Sequence, residues 1–472
     1  MIKKTIFTII LLGSILMHAQ LKKVNGNTFD IDGIHEKEFK LALTDDYNQY
    51  VTSYINTDGL MANAYPHKKI LVRKLDQKGN YLETYVKDYA NKTNGTLHNY
   101  LGSHEIGTDK IIFFTEEYSG KTKKKEIFQH IFNKKDGSFA TSSIAGFAIE
   151  SANKSGTTKL LFSENGKYAA IFNDRFANKK IPNINDIIVI NLRDLSTLWK
   201  KEVQLSDDFV EEDASLTDSG RILLIRKPSS GWKLGSKLEL VSDKEQKDLP
   251  VENKYYLKKA FTFTIDDKDY AAVIGKFGFT ASVTGEVWGD IFLYDLTKGS
   301  YTSGKIDKMA SNISDFKMIE AFSSNGSATV FGQVITQYTP PETAYNRFPD
   351  PVNSYGAAYI FTFSEDGKIS SNFLDNENKS KINVFKHNNS FYVSGTFESR
   401  KTTFRKYYEP IKILDEKNYT PGYIQLSNEN PLEDHPAPDG DLIKFLPETN
   451  RLIFLYRTEK SMNMISYYNI LP

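Results

Sequence analysis

Carboxylates standing side by side are the first candidates for chemistry in this chain, at Asp45/Asp46, Glu116/Glu117, Asp207/Asp208, Glu211/Glu212 and Asp266/Asp267. General acid–base catalysis needs two carboxyl groups facing each other across a substrate, whereas neighbours on a strand point to opposite faces. Asp266/Asp267 falls in an expected hairpin turn, where Asp is favoured for turn geometry alone. Glu211, Glu212 and Asp213 fall at an expected junction between repeats, near a central strand, and offer oxygen ligands of the kind Ca²⁺ takes. Solvated charge is the simpler reading for them and the one expected. His98, His104 and His130 can be imagined as a metal trio, yet packed or solvated histidines are expected there too. The chain has no cysteine, so a disulfide, a thiolate metal site and a cysteine nucleophile are all excluded. Gly-x-Ser-x-Gly, His-Glu-x-x-His and the phosphate-binding glycine patterns do not occur. The motifs identify no catalytic residues, and no metal and no cofactor is expected.

The elements that must carry these residues are legible in the composition. Hydrophobic residues make up 40% and charged residues 25%, enough apolar material for a large core. Lys and Arg total 60 against 59 Asp and Glu, a net charge of +1. That balance lacks the basic field a dedicated nucleic-acid binder carries, so no nucleic-acid partner is expected. The 27 Tyr and 31 Phe favour half-buried pleated surfaces, hence strands. The first twenty residues, with Lys3 and Lys4 ahead of an apolar run from Ile6 to Met17 and small Ala19 after it, read as a secretory signal peptide cleaved after Ala19 or Gln20. The run is short for a membrane span, and no cysteine follows it to carry a lipid. Residues 1–20 are expected to be removed, leaving a soluble chain with no stable membrane anchor. Its expected location is the periplasm or the medium of a Gram-negative type of cell.

A phrase recurs along the chain. Leu161-Phe162-Ser163-Glu164-Asn165-Gly166-Lys167-Tyr168 is echoed from Ser215 to Ile225, from Phe322 to Phe331 and, less cleanly, from Thr264 to Ile274. Each has a short strand, a polar turn and a second strand, with positive φ supplied by the Asx-Gly pair in the clearer copies. A second apolar phrase follows after a variable gap, as in Asp186 to Leu192 and Asp290 to Leu296, and turns into a more polar strand. The unit is four antiparallel strands, a to d, repeating about every 56 residues, which is the pattern of a propeller blade. Units begin near Glu38, His98, Thr158, Val210, Leu257, Phe316, Ile382 and Asp441. The last is one strand short, and residues 21–31 supply it. The expected fold is all-β: a single β-propeller over residues 21–472, eight blades favoured over seven, its ring closed by pairing the N- and C-terminal strands.

The hairpins Phe162-Ser163-Glu164-Asn165-Gly166-Lys167 and Phe322-Ser323-Ser324-Asn325-Gly326 resemble the Phe-Ser-x-Asp-Gly-Lys hairpins of TolB-like and prolyl-oligopeptidase-type propellers. The resemblance covers one hairpin in about four units and implies architecture alone. No α/β-hydrolase segment follows the repeats, so a propeller-capped serine peptidase is not expected.

Loop length then singles out a working face. The a–b and c–d turns are short, while the b–c connections at 56–69, 173–185, 227–236, 275–289, 336–356 and 398–410 are long, and long loops on a rigid scaffold are where binding resides. They are rich in aromatics and Arg, of which Trp232, Phe277, Trp288, Tyr345, Arg347, Arg405 and Tyr407 are the candidate ligand-binding residues. The expected function is an exported, non-catalytic binding protein that contacts a polysaccharide or protein partner through this face. A glycan hydrolase or lyase with a site in the central funnel is the alternative, and a structural or accessory envelope protein is the third reading.

Overall fold

Alternating apolar residues around tight polar turns fold as hairpins, and hairpins joined in sequence give antiparallel sheets. The computed structural model describes residues 22–468 except 33–35, 43–47, 58–66, 90–95, 120, 150–155, 176–183, 205–208, 229–234, 253–254, 278–288, 307–314, 339–351, 375–380, 388–389, 399–405, 409–410, 416–420, 425–442, 447–448 and 458–459. The described residues are all-β and form eight antiparallel sheets, each carrying the four-strand pattern expected of a blade. Blades 1 to 8 start at Glu36, Thr96, Thr157, Phe209, Tyr255, Asp315, Ile382 and Ile443, each within two residues of its expected start. In blade 8 the strands Ile443–Leu446, Arg451–Arg457 and Ser461–Tyr468 are joined by Lys22–Asn25 as the outer strand, Lys22 standing opposite Tyr468. The two ends of the chain therefore share one sheet.

Two compact units divide the chain, residues 91–379 with blades 2 to 6, and residues 1–90 with 380–472, which hold blades 1, 7 and 8. In the first unit, period-two alternation assigns each middle strand to two cores at once. Ile171, Ile188 and Ile190 of blade 3 pack with Ile112, Phe114 and Ile127 of blade 2. Their neighbours Phe172, Ile187 and Val189 pack instead with Ile222 and Leu224 of blade 4. Leu223 and Ile225 of blade 4 turn the other way, to Val273, Phe292 and Tyr294 of blade 5. Strands covered on both faces read as continuous apolar runs, such as Asp290–Asp295 with every residue buried. The outer strand Ser300–Lys305 is mostly exposed by contrast. Burying a large apolar side chain in such a core stabilises by about 1.5–3 kcal/mol. In the second unit Phe39, Leu41, Val51 and Leu75 of blade 1 pack with Ile453, Leu455, Met462 and Met464 of blade 8.

One irregularity recurs. The inner strands of blades 2, 4, 5 and 6 each shift register once, between Tyr100 and Gly102, Glu211 and Asp213, Leu257 and Lys259, and Met318 and Glu320. A bulge of this kind breaks the alternation of faces and re-aims the side chains around it.

Candidate functional site

The bulges decide where the charged residues of blades 3 to 6 go. In blade 4 the inner strand Phe209–Leu216 carries Glu211, Glu212 and Asp213 across its bulge. Consecutive residues on a regular strand cannot share a neighbourhood, but these three each meet a lysine. Lys159 of blade 3 reaches Glu211 at 2.5 Å. Lys227 and Lys258 take Glu212 at 2.5 and 3.1 Å. Lys259 lies 3.7 Å from Asp213 and 3.1 Å from Asp315 of blade 6. Lys258 and Lys259 stand on the bulge of blade 5, so a bulged acidic triplet faces a bulged basic pair. Burial pushes the Asp213 carboxyl up to about 6, against the pull of Lys259 and of the Ala260 N–H donated to it at 3.0 Å. The neighbouring layer is knitted in the same way. Arg175 donates to Asp186 at 2.7 Å and to Glu202 at 2.8 Å, and buried Arg226 donates to Glu239 at 2.7 Å and to Asn185 at 3.1 Å. This ionic layer lies at the end of the strands from which the long b–c connections leave.

At the opposite end, the repeated turn phrase links one blade to the next. The Asn165 N–H donates to Asp218 at 2.8 Å, joining blades 3 and 4. Ser219 and Arg221 of blade 4 both donate to Asp269 of blade 5, the arginine at 2.8 Å. The Gly326 N–H of blade 6 donates to Asp266 of blade 5 at 3.1 Å. Asp266 and Asp267 have φ of 47° and 63°, the left-handed conformation of a two-residue hairpin turn. One link skips two blades: Glu164, in the turn of blade 3, accepts the Ala321 N–H of blade 6 at 3.3 Å, and its carboxyl hydrogen-bonds that of Glu320. Among the described residues neither carboxyl has an ion-pair partner. Burial, reinforced by Glu164, pushes Glu320 up to about 8, so this pair retains a proton at neutral pH. Burial also raises Glu164, with Asp218 adding to it.

Of the residues expected to bind ligand, Trp232, Trp288, Tyr345, Arg347 and Arg405 lie outside the described residues. Phe277 ends the second strand of blade 5 opposite Tyr255, and Tyr407 lies in the short strand Lys406–Tyr408 opposite Phe397; their side chains lie outside the description. The expectation of solvated charge at Glu211, Glu212 and Asp213 is corrected, because the bulge turns them onto lysines. The three histidines go separate ways. His130 has Thr115 and Thr141 hydroxyls at 2.9 Å on its two ring nitrogens, His98 lies 3.8 Å from Glu117, and His104 stacks on Phe162. Sequence reasoning missed the Glu164 and Glu320 pair. Its sole signal was Glu164 in the variable position of the turn phrase, and nothing local marks Glu320.

No protein-family model matches the chain, and no characterised protein matches it by sequence. The β-propeller domain of the Trilobed protease from Pyrococcus furiosus is similar in structure, with 14% identity, a TM-score of 0.34, and coverage of 78% of this chain and 93% of that one. The Dos1 propeller is 12% identical with a TM-score of 0.31, over 74% of this chain and 90% of that one. Prolyl oligopeptidase B from Galerina marginata is 10% identical with a TM-score of 0.40, over 92% of this chain and 55% of that one, so the chain spans about half the length of that enzyme. The likeness is one of fold.

Proposed function

We propose that this chain is an exported binding protein that holds a polysaccharide or protein partner at the loop end of blades 3 to 6, without catalysis. The observation that carries the reading is the ionic layer at the strand ends that lead into the long connections. Its carboxylates at the inner strands, Glu211, Glu212, Asp213 and Asp315, are each paired with a lysine. A floor of mutually fixed charges suits a platform that presents aromatic and basic loop residues to a polar partner. The test is binding to an array of neutral and acidic polysaccharides, with Trp288, Tyr345 and Arg347 replaced together by alanine. Loss of about tenfold or more in affinity is expected from removing two aromatic anchors and an arginine. Unchanged binding by the triple variant, or no binding by the parent protein, defeats the reading. Export itself is tested by sequencing the N-terminus of the mature chain, expected after Ala19 or Gln20.

A second reading, glycan hydrolysis or elimination, draws on Glu164 and Glu320. One protonated and one ionised carboxyl is the division of labour such chemistry uses. Glycosidases, however, hold their carboxyls roughly 5–9.5 Å apart to admit the scissile bond, whereas these two hydrogen-bond each other directly. The pair would have to part before a substrate could enter, which ranks this reading second.

A further inference from the structure

The outer strand of an antiparallel sheet presents unpaired N–H and C=O groups along its free edge, a template for another strand. In blade 1 that strand is Tyr81–Asp88, and among the described residues nothing pairs with its free edge. Tyr81, Leu82 and Val86 are 43%, 50% and 49% exposed, three of the five large hydrophobic side chains left exposed among the described residues. The other two are scattered, Leu198 in blade 3 and Phe373 in blade 6. Apolar exposure is thus concentrated on one edge. The Tyr89 N–H donates to the Lys68 carbonyl at 3.1 Å, and the register runs unbroken from Asp88 opposite Lys69 to Glu83 opposite Lys74. Alternation then fixes which groups face out: Glu83, Tyr85 and Lys87 bond inward to the blade, while Thr84, Val86 and Asp88 turn their N–H and C=O groups outward. The one register shift lies beyond this stretch, at Leu82.

This edge is complementary to itself in charge. A second copy laid antiparallel along it must set outward-facing residues opposite one another, so the twofold axis has to pass through a residue and not between two. An axis at Glu83 or Lys87 opposes like charges, and an axis at Thr84 or Val86 sets both charged residues against tyrosines. An axis at Tyr85 sets Glu83 of each copy opposite Lys87 of the other, twice over. Both then sit in non-hydrogen-bonded pairs, where side chains approach most closely. Among the described residues neither Glu83 nor Lys87 has an ion-pair partner within its own chain, unlike Glu211, Glu212 and Asp213, which each have a lysine. On the same face the two Tyr85 rings meet at the axis, and on the other face Val86 of each copy is covered by Thr84 of its mate. We infer that the outer strand of blade 1 is a self-association edge, on which a second copy of this chain adds its own Tyr81–Asp88 strand antiparallel about a twofold axis at Tyr85, held by two Glu83–Lys87 pairs. So short a contact falls below the roughly 1,200 Å² of a standard interface, so the dimer is weak, with Kd on the order of 10–100 µM. It uses no residue of the loop-end reading and stands or falls separately.

Sedimentation velocity of the purified protein, from about 1 to about 300 µM so as to bracket that Kd, tests it. A monomer–dimer equilibrium is expected. Val86→Pro removes an N–H that faces outward and leaves the hydrogen bonds of the blade in place, yet should weaken the dimer about tenfold or more. Lys87→Glu and Glu83→Lys each set like charges across the axis and should weaken it to a similar extent, about tenfold. Mixed in equal amounts, these two single variants should associate about as tightly as the parent, because every pair across the axis is again opposite in sign. A variant that had failed to fold could not be rescued in this way. The inference is overturned if the protein stays monomeric throughout the range, which would leave the edge to a different partner. It is equally overturned if Val86→Pro dimerises like the parent, if the mixed single variants do not associate, or if assemblies larger than a dimer form.

Discussion

At the loop end of blades 3 to 6, Glu211, Glu212, Asp213 and Asp315 each lie against a lysine; at the turn end Glu164 lies against Glu320, with no cation acting on either. The same residue type is thus stabilised in two ways. Where a lysine can be brought within about 4 Å, ion pairing offsets desolvation and both partners stay charged. Where none reaches, the carboxyl is kept neutral by holding its proton and donating a hydrogen bond. The difference comes from the bulges. Those of blades 4 and 5 present opposite charges to each other, while that of blade 6 delivers Glu320 to a turn already occupied by a glutamate. The first arrangement stays ionised at neutral pH and above, Asp213 gaining its proton only as pH falls toward about 6, and suits a rigid platform. The second changes charge within the physiological range.

The largest effect is expected from removing the shared lysine of the ionic layer. Lys259→Met leaves Asp213 and Asp315 without their cation and should cost about 2–3 kcal/mol in urea unfolding, below the value for a fully buried pair because Lys259 is partly exposed. Adding Asp213→Leu should recover much of that loss; a single variant as stable as the parent would break the contrast between the two ends.

Glu320→Gln is expected to act with the opposite sign. The folded protein holds the Glu320 proton up to about 8, whereas the unfolded chain releases it near 4.3. Folded protein therefore binds more protons between those values, and stability falls as pH rises through that window and stays low above it. Glutamine keeps a neutral donor facing Glu164, so the variant should gain about 1–2 kcal/mol at pH 8 or above and almost nothing at pH 4. Unfolding curves from pH 4 to 9 check this, and a parallel offset at every pH would show that the two carboxyls do not share a proton.

Smaller effects belong to the links between turns. Asp269→Asn weakens the acceptor of Ser219 and Arg221 and should cost about 1 kcal/mol. Asn165→Ala removes an exposed side chain whose backbone N–H still reaches Asp218, and about 0.5 kcal/mol or less is expected. Thermal melts of the two variants rank them. A larger loss at Asn165 than at Asp269 would place the connection between blades in the side chains of the turn phrase and not in its backbone and buried acids.

Much of this fold was readable before any coordinates. Asp186 to Leu192 and Asp290 to Leu296 announce strands buried on both faces because their apolar runs are unbroken, and the Asn165-Gly166 and Asn325-Gly326 turns mark hairpins. The missing fourth strand of blade 8 was likewise inferable from the short last unit, and Lys22–Asn25 fills it. The candidate sites were much less legible. An adjacent acidic triplet looks solvent-facing until the register shift between Glu211 and Asp213 is known. Glu164 and Glu320 are far apart in sequence, and the phrase containing Glu164 is already explained by turn chemistry.

The sequence by itself determined the strand pattern, the hairpin turns, the blade phase and the end at which the long connections emerge, because these depend on period-two burial and on local turn preferences. Tertiary structure decided the partners of the charged residues and the close approach of Glu164 to Glu320. Those depend on where a strand slips by one residue and on which blades then face each other, and neither is written in local residue preferences.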